Sequence, residues 1–403
     1  MAFWKLILTS MIICCFTDVY GDLITDEMRL FDNISSRANP YIRPVYNFKN
    51  TVRVNFGLAL LSILDLDESS EMLTVQVWER LLWKDPHIAW NPEDFGGVDH
   101  IRIPINKIWQ PDFRLFNEKA EGRVRYDDVL AVVSSDGAVL YILPAVLQSA
   151  CTADMTYFPY DKQTCNLKFG SWTWDGFKID PDFYDGLQEV DIKDYTENKE
   201  FILEGHPAQK NVKYYPCCEE SYPDLTFTLQ LRRRGGLQSL TFVAPIFVLA
   251  LLCPIIFLMP YSDNQRFSLG GSLLICLAII LSSFENIFPS AHGSTPLLAQ
   301  YYISVVVLLV LSLIISTLIT NIADRASRPG GLPKIVKKVF LDGLGKVLCV
   351  SSENYNLMNE EEGSTSQDNS TQWKSLAQVL DRLLFIIYVI LTVVLTFVFL
   401  FRV

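Results

Sequence analysis

Hydrophobic residues follow two different patterns in the two halves of the chain. Between Thr51 and Leu231, short runs rich in β-branched and aromatic residues alternate with turn sequences such as PEDFGG and SSDG. Many short strands at this spacing are typical of an antiparallel β-sandwich. The stretch from Asp22 to Asn33 has a more helical pattern and precedes the first run. We therefore predict an all-β, immunoglobulin-like sandwich with an N-terminal helix.

After residue 235 the pattern changes to four long apolar runs. Each is close to the ~20 residues that a helix needs to cross a bilayer, so we predict an all-α transmembrane domain of four helices. The runs extend over about Gln238 to Met259, Leu269 to Phe288, Leu298 to Ile322 and Leu383 to Leu400.

The first residues of the chain resemble a secretory signal peptide. They contain Lys5, an apolar run of roughly ten residues and a small residue at Gly21, and the run is too short to span a bilayer. The predicted organisation is a signal peptide at 1–21, an extracellular sandwich at 22–236, transmembrane helices one to three at 237–323, a cytoplasmic insert with an amphipathic helix near its end at 324–380, and the fourth transmembrane helix at 381–403.

Charge predicts the orientation of the chain. Basic residues crowd the exit of the third apolar run, and by the positive-inside tendency that side is cytoplasmic, which leaves both termini outside the cell. We expect a multi-pass protein of the plasma membrane. The net charge of −11 lies mostly in the exported half, where it favours cationic solutes over nucleic acid.

Four cysteines fall in the exported half: Cys151, Cys165, Cys217 and Cys218. Four cysteines allow three pairings, and the short loop and the adjacent pair favour 151 with 165 and 217 with 218. Asn33 begins an N-glycosylation sequon on the same side.

The segment CTADMTYFPYDKQTC places thirteen residues between Cys151 and Cys165, around a centre at Phe158, Pro159, Tyr160 and Asp161. It resembles the signature loop of the Cys-loop receptors and, within them, of nicotinic acetylcholine receptor α-type subunits. The resemblance covers nearly the whole mature chain and implies one subunit of a pentameric neurotransmitter-gated ion channel. A secreted sandwich with a similar bridge is the alternative, and the central motif and four apolar runs argue against it.

Three further segments resemble the loops from which that family builds its agonist cage: WQPDFRLFN, GSWTWDG and YYPCCEESYPD. Aromatic faces suit acetylcholine-like cations, because a quaternary ammonium has no proton to donate. Phe116 stands where the family usually has Tyr, so we expect altered or weaker agonist preference. The implied principal face consists of Phe116, Trp172, Tyr215, Cys217, Cys218 and Tyr222.

The resemblance also implies a complementary face, contributed by a neighbouring subunit. Its residues are Trp78, in VWERLLW, and the apolar pair Leu140 and Ile142, in AVLYILP. One sequence thus carries both halves of the site, and a homopentamer is possible. The expected partners are a cationic agonist, four further subunits and membrane lipid, with no cofactor, metal or nucleic acid.

The second apolar run has polar residues at helical spacing on one face, which predicts a pore-lining helix. Apolar rings at Ile275 and Ile279 would gate by dewetting. Gln265 stands where cation-selective relatives usually carry Glu, while Asp263 and Glu285 offer negative rings, so cation selectivity is favoured. A buried helix with scattered serines is the alternative. The predicted pore residues are Gln265, Ser268, Ser272, Ile275, Ile279, Ser282 and Asn286.

Loops at the membrane boundary couple binding to gating in the family. The matching residues are Glu68, Phe158, Pro159, Asp161, Arg234 and Pro296, and the resemblance implies a pair between Glu68 and Arg234. Solvated loop charges are the alternative for these groups.

Other classes of function fit less well. The four histidines show no metal spacing, and no nucleophile motif or phosphate-binding loop occurs, so an enzyme is not expected. A membrane-anchored adhesion or binding protein would need one anchor rather than four. A silent or accessory subunit, or an orphan channel with a non-cholinergic ligand, stays open, since Phe116 and Gln265 depart from the family pattern.

Overall fold

A computed structural model describes residues 25–119, 124–125, 128–216, 219–260, 264–284, 295–327, 331–348 and 365–402. The chain divides into two compact units. The first contains Met1–Ala153 and Lys162–Arg232, and the second contains Asp154–Asp161 and Arg233–Val403.

The first unit begins with helix α1, Asp26–Arg37. Thr25 caps it by accepting a hydrogen bond from the Met28 amide at 3.3 Å. Asp26 and Glu27 in the first turn and Arg37 in the last turn complement the helix dipole. The helix buries Leu30 and Ile34 in the core of the unit.

Within the described residues, twelve strands form two sheets. The seven-stranded sheet has the order β3-β6-β7-β2-β1-β9 with β5 on β7, and the five-stranded sheet has the order β10-β12-β8-β4 with β11 on β12. The strands are β1 Val52–Asp67, β2 Met72–Lys84, β3 His100–Pro104, β4 Phe113–Leu115, β5 Val124–Arg125, β6 Leu130–Ser134, β7 Ala138–Ala150, β8 Lys162–Ser171, β9 Ile179–Phe183, β10 Phe201–Gly205, β11 Ala208–Tyr214 and β12 Ser221–Arg233.

The core of this unit lies between the inner faces of the two sheets. Buried residues alternate with more exposed ones along β2 and β7, as expected for strands with one face inward. Phe56 of the larger sheet packs against Phe113, Phe169 and Phe227 of the smaller sheet, with ring centroids 5.3, 4.7 and 5.8 Å apart. The predicted all-β sandwich with an N-terminal helix is confirmed.

The second unit is helical. Its helices are α2 Gly236–Leu258, α3 Gln265–Phe284, α4 Leu297–Asp324, α5 in three consecutive segments, Lys334–Val336, Lys337–Leu344 and Gly345–Val347, and α6 Thr365–Arg402. In the part of the chain that the structure describes, four helices are long and apolar enough to cross a membrane, namely α2, α3, α4 and the Ser370–Arg402 part of α6. The helix that contains the fourth apolar run begins well before Leu383, because no Gly or Pro interrupts the segment ahead of it.

Aromatic and close backbone contacts hold these helices together. Tyr301 of α4 stacks on Phe399 of α6 at 4.9 Å, and its hydroxyl lies 2.9 Å from the Thr396 hydroxyl. A Cβ at Gly270 of α3 would lie 2.2 Å from the Leu313 side chain of α4. Gly270 therefore permits the close approach of α3 and α4.

Candidate functional site

Phe116 and Trp172 meet at the end of a short strand pair. Strand β4 pairs with β8 through Phe113–Ser171 and Leu115–Phe169, and the Phe116 amide donates to the Lys168 carbonyl at 2.7 Å. The two side chains that follow these strands touch edge to face, with ring centroids 6.1 Å apart. Trp172 is 72% exposed and Phe116 37% exposed. The unit thus presents two adjoining aromatic surfaces to solvent.

Asp112 fixes the turn that carries Trp172. Its carboxylate accepts hydrogen bonds from the Ser171 hydroxyl at 2.6 Å and the Thr173 amide at 2.7 Å, and the Trp172 amide donates to its carbonyl. Sequence reasoning did not single out Asp112, although it lies within the quoted segment WQPDFRLFN. The sequence signal that could have identified it is the Pro111–Asp112 dipeptide, because Pro followed by Asp is typical of turns.

Tyr215 and Tyr222 flank the tip of the β11–β12 hairpin. Their rings meet edge to face at 5.5 Å. Strands β8 and β12 are antiparallel, and Phe169 of β8 pairs with Leu225 of β12. Trp172 lies three residues after Phe169 and Tyr222 lies three residues before Leu225, so both lie beyond this pair in the same direction. That antiparallel register brings the two aromatic pairs to the same end of the sheet. Cys217 and Cys218 lie outside the described residues, and their predicted disulfide stays a prediction.

Lys168 and Asp224 form a charged support beneath this aromatic cluster. The Lys168 ammonium lies 3.1 Å from the buried Asp224 carboxylate and 5.6 Å from the centre of the Phe116 ring. Lys168 contacts Oδ2 of Asp224, whereas the Thr226 hydroxyl and the Asn211 amide both donate to its Oδ1, at 2.8 and 3.0 Å. Sequence reasoning missed both Lys168 and Asp224, because their contact depends on strand register rather than on a local motif.

Neighbouring polar and charged groups shift the pKa values of Lys168 and Lys213. Partial burial works against the charge on Lys168, but hydrogen bonds to Lys213 and Asp224 outweigh it and raise the pKa of Lys168. The pKa of the exposed Lys213 is lowered, because Lys168 hydrogen-bonds to it and carries a like charge. The Asp224 carboxylate therefore offsets the positive charge of Lys168 behind the aromatic surface.

Gly170 lets the Phe116 ring lie close to the sheet. A Cβ at this position would lie 2.7 Å from the ring and 3.2 Å from the Pro223 carbonyl. The absence of a side chain thus brings Phe116 next to the strand that carries Tyr222. Together the exposed π faces form a surface suited to an organic cation.

The predicted complementary residues lie on the other sheet. Trp78 of β2 is half-buried, and on the neighbouring strand β7 Leu140 is half-buried and Ile142 is 36% exposed. All three side chains point away from the core, because they alternate with buried residues. Arg80, two residues after Trp78, pairs with Asp191 at 2.7 Å. The larger sheet therefore carries an outward apolar surface separate from the aromatic cluster.

The predicted pore residues share one face of α3. The members that the structure describes are all exposed within the single chain: Gln265, Ser268, Ser272, Ile275, Ile279 and Ser282. The opposite face packs into the helical unit through Gly270, Leu273, Leu277 and Phe284. Asn286 lies outside the described residues, as do Asp263 and Glu285.

The disulfide between Cys151 and Cys165 is present, with a Cα–Cα distance of 5.0 Å. It closes the loop whose tip, Asp154–Asp161, belongs to the helical unit. Within that unit the Asp161 carboxylate accepts from the Arg233 guanidinium at 2.8 Å, and both side chains are almost fully buried. Arg233 was not identified from the sequence, which favoured its neighbour Arg234. The predicted pair of Glu68 and Arg234 stays a prediction.

The loop tip contacts the ends of two helices. The Tyr160 hydroxyl accepts from Ser239 of α2 at 2.8 Å. The Leu297 amide, directly after Pro296, donates to the Thr156 carbonyl at 3.0 Å. Pro159 is buried. Phe158, Pro159, Asp161 and Pro296 therefore lie in one contact region.

A chain of aromatic rings leads from the loop tip to α3. Phe158 packs against Phe242 of α2 at 6.1 Å, Phe242 against Phe284 of α3 at 5.4 Å, and Phe284 against Tyr302 of α4 at 5.8 Å. The Tyr302 hydroxyl then donates to the Leu277 carbonyl of α3 at 2.9 Å. Phe242, Phe284 and Tyr302 were not predicted, since their contacts join helices distant in sequence.

Two remaining predictions concern modification and metals. Asn33 is exposed on α1, and its glycosylation stays a prediction. Among the residues that the structure describes, no group of three His, Cys, Asp or Glu side chains is placed to hold a metal ion.

The sequence matches two family descriptions. Residues 27–235 match the neurotransmitter-gated ion-channel ligand binding domain, and residues 242–370 match the neurotransmitter-gated ion-channel transmembrane region. Neuronal acetylcholine receptor subunit alpha-5 of Gallus gallus is 31% identical over 400 residues, which covers 91% of this chain and 87% of that protein.

Two further relatives have similar identity. Neuronal acetylcholine receptor subunit alpha-9 of Homo sapiens is 32% identical over 322 residues, covering 80% of this chain and 67% of its own length. Acetylcholine receptor subunit alpha-L1 of Schistocerca gregaria is 34% identical over 332 residues, covering 81% of this chain and 60% of its own length.

Proposed function

Because the chain belongs to the neurotransmitter-gated ion-channel family, we propose that it is an α-type nicotinic subunit of a pentameric channel opened by an acetylcholine-like cation. Members of this family are channels and not enzymes. The single observation that carries the ligand assignment is Trp172, whose ring is 72% exposed although it is held in a fixed turn beside Phe116.

The principal face of the proposed site is the aromatic cluster of the smaller sheet. A quaternary ammonium would lie on the Trp172 face, with Phe116, Tyr215 and Tyr222 around it. Such contacts contribute about 2 kcal/mol or more when the cation is desolvated. The Cys217–Cys218 pair at the hairpin tip is proposed to cover the ligand.

The complementary face is proposed to be Trp78, Leu140 and Ile142 of a neighbouring subunit. The outward position of these side chains on the larger sheet supports the assignment. Since each chain carries both faces, identical subunits around a ring would repeat the same interface, and the subunit arrangement could be homomeric.

The proposed pore is lined by α3. Its exposed face offers Gln265, Ser268 and Ser272 in the N-terminal half, isoleucines at 275 and 279, and Ser282 near the C-terminal end. In a pentamer, Ile275 and Ile279 would each form a circle of five apolar side chains around the pore. Loss of water between these side chains would close the channel. Cation selectivity is proposed, with Asp263 and Glu285 as the negative rings.

Gating is proposed to pass through the loop closed by Cys151 and Cys165. The loop is covalently continuous with β7 and β8, and its tip contacts α2 and the start of α4 within the helical unit. Movement of the tip would then reach α3 through Phe242 and Phe284. We further propose that both termini are extracellular in the plasma membrane and that Glu68 and Arg234 pair in the assembled receptor.

The test is an electrophysiological recording from cells that express the full chain. Acetylcholine should evoke a current whose reversal potential follows external sodium and does not change when chloride is replaced. A reversal potential that follows chloride would contradict cation selectivity. Absence of current, both from the chain alone and with a companion nicotinic subunit, would contradict the channel function.

An accessory subunit is the second candidate function. Phe116 and Gln265, both at proposed functional positions, support it because they depart from the family pattern. A current that requires a companion subunit, and whose agonist sensitivity is unchanged by Trp172→Leu, would favour this reading over an agonist-binding subunit.

A further inference from the structure

Arg266 and Asp381 form an ion pair inside the helical unit. Arg266 lies in the first turn of α3 and is fully buried, and Asp381 lies on α6 and is 6% exposed. The guanidinium Nη2 lies 2.8 Å from the Asp381 Oδ2, and the same nitrogen donates to the Met259 carbonyl at the end of α2. One side chain of α3 is thus tied to two other helices.

Arg266 points away from the proposed pore. It shares the buried face of α3 with Gly270, Leu273 and Leu277, whereas Gln265 and Ser268 lie on the exposed face. Successive residues of a helix are rotated by about 100°, so a residue adjacent to Gln265 need not face the same direction. Arg266 is also the only charged residue between Gln265 and Phe284.

Among the residues that the structure describes, the pair is incompletely hydrogen-bonded. Within that part of the chain, Nε and Nη1 of Arg266 and Oδ1 of Asp381 are buried without a hydrogen-bond partner. A buried ion pair offsets the loss of hydration only when its remaining polar atoms are satisfied. Removal of the Asp381 carboxylate would leave the buried guanidinium without a counter-charge among the described residues, with the Met259 carbonyl as its remaining hydrogen-bond acceptor there.

We propose that Asp381 is a positioning residue for charge selectivity, which acts by holding the Arg266 guanidinium away from the pore. Each subunit thereby removes one positive charge from the N-terminal end of the channel. The proposal rests on the proposed function, since it requires that α3 lines a cation-selective pore. With the Arg266 charge held inside the helical unit, the exposed face of α3 carries no positive charge, even though Gln265 stands where cation-selective relatives usually carry Glu.

The test compares reversal potentials of the full-length receptor in asymmetric sodium chloride, with the companion subunit included if wild-type current requires it. In Asp381→Asn the guanidinium is released toward water at the exposed face. The chloride-to-sodium permeability ratio should then rise roughly fivefold, as expected for like-charge repulsion of cations at a narrow mouth. The double variant Arg266→Met with Asp381→Asn removes the charge and should return the ratio to the wild-type value.

Two controls define the range of the assay. Ser268→Arg places a charge directly on the exposed face of the same helix and should raise the permeability ratio at least as much as Asp381→Asn. Arg382→Gln changes the next residue of α6, whose exposed guanidinium donates to the Leu348 carbonyl at 2.7 Å, and should leave the ratio unchanged.

The outcomes separate this proposal from the proposed function. Absence of agonist-evoked current in the wild type would overturn both. A cation-selective wild type whose Asp381→Asn variant loses surface receptor but keeps its reversal potential would assign the pair a structural role only and overturn the inference. If Asp381→Asn fails to assemble, Arg266→Met decides, because a hidden charge predicts an unchanged ratio and a charge in the pore predicts a more cation-selective one.

Discussion

Two groups of aromatic side chains differ in their exposure. In the sandwich unit, Trp172, Tyr215 and Phe116 are 72%, 49% and 37% exposed. In the helical unit, Phe158 and Phe284 are 1% and 3% exposed. Both groups are built from edge-to-face or tilted ring pairs at similar distances, between 5.4 and 6.1 Å. The contacts are alike, and only the access to solvent differs.

This difference in exposure distinguishes the rings that can bind a ligand from the rings that can transmit a displacement. An exposed aromatic face held in a rigid turn is free to accept a ligand cation. A buried ring has no free face and can only pass displacement to the rings that it touches, since packed interiors deform little. Variants of the exposed group should therefore change agonist discrimination, whereas variants of the buried group should shift the response to all agonists equally.

The largest effect is expected from Asp161→Asn, which breaks the support of the buried group. Arg233 pairs with Asp161 and also lies 5.3 Å from the Phe158 ring centre. Loss of one partner of a buried ion pair costs about 3–5 kcal/mol, so surface receptor should fall severely. Lys162→Gln, next in sequence but exposed, is the control and should cost less than about 1 kcal/mol. Equal surface labelling of the two variants would refute the prediction.

A smaller effect is expected from Phe284→Leu, which keeps an apolar side chain but removes two ring contacts. Aromatic pairs contribute about 0.5–1.5 kcal/mol beyond area burial, so the half-maximal concentration should rise by roughly fivefold. The same factor is expected for acetylcholine and for tetramethylammonium. Ser283→Ala, the preceding exposed residue, is the control. A shift confined to one agonist would remove Phe284 from the transmission group.

Tyr302→Phe should have a still smaller effect. It removes the hydrogen bond to the Leu277 carbonyl and keeps the ring contact with Phe284. A net cost of about 0.5–1.5 kcal/mol predicts a shift of a few-fold, again equal for both agonists. Tyr301→Phe is the control, because the hydroxyl that it removes is bonded to Thr396 of α6 rather than to α3. The prediction fails if Tyr301→Phe shifts the concentration–response curve more than Tyr302→Phe.

The smallest effect is expected from Phe116→Tyr in the exposed group. The ring stays in place and gains a hydroxyl, so the half-maximal concentration should change by about two- to threefold, as expected for a fraction of one hydrogen bond. The ratio between acetylcholine and tetramethylammonium should change as well, since the hydroxyl can bond only the ester. Phe177→Tyr, an exposed aromatic outside the cluster, should change neither quantity. An unchanged ratio in Phe116→Tyr would place this ring outside the ligand contact.

The exposed group could be predicted from sequence and much of the buried group could not. Phe116, Trp172, Tyr215 and Tyr222 lie in short motifs, and the turns that carry them are encoded locally. The alternating and continuous apolar patterns likewise predicted the sandwich and the four long helices.

The contacts missed from the sequence depend on tertiary structure. Lys168 meets Asp224 through the register of β8 and β12, and Phe242 meets Phe284 through helix packing. Arg266 and Asp381 are 115 residues apart in sequence, and no local pattern relates them. The sequence analysis assigned the coupling role to Arg234, whereas the structure pairs Arg233 with Asp161. The three adjacent residues at 232–234 are all arginines, so only their burial distinguishes them.

The assignment of the exposed aromatic cluster as the agonist site is tested most directly by the agonist response of Trp172→Leu, with Phe284→Leu measured beside it. Trp172→Leu should raise the half-maximal concentration of acetylcholine by about 30-fold, equivalent to a cation–π contact of about 2 kcal/mol, and should change the ratio of the half-maximal concentrations of acetylcholine and tetramethylammonium. Phe284→Leu should leave that ratio at the wild-type value. A Trp172→Leu receptor with wild-type sensitivity to both cations would contradict the assignment of the exposed aromatic cluster as the agonist site.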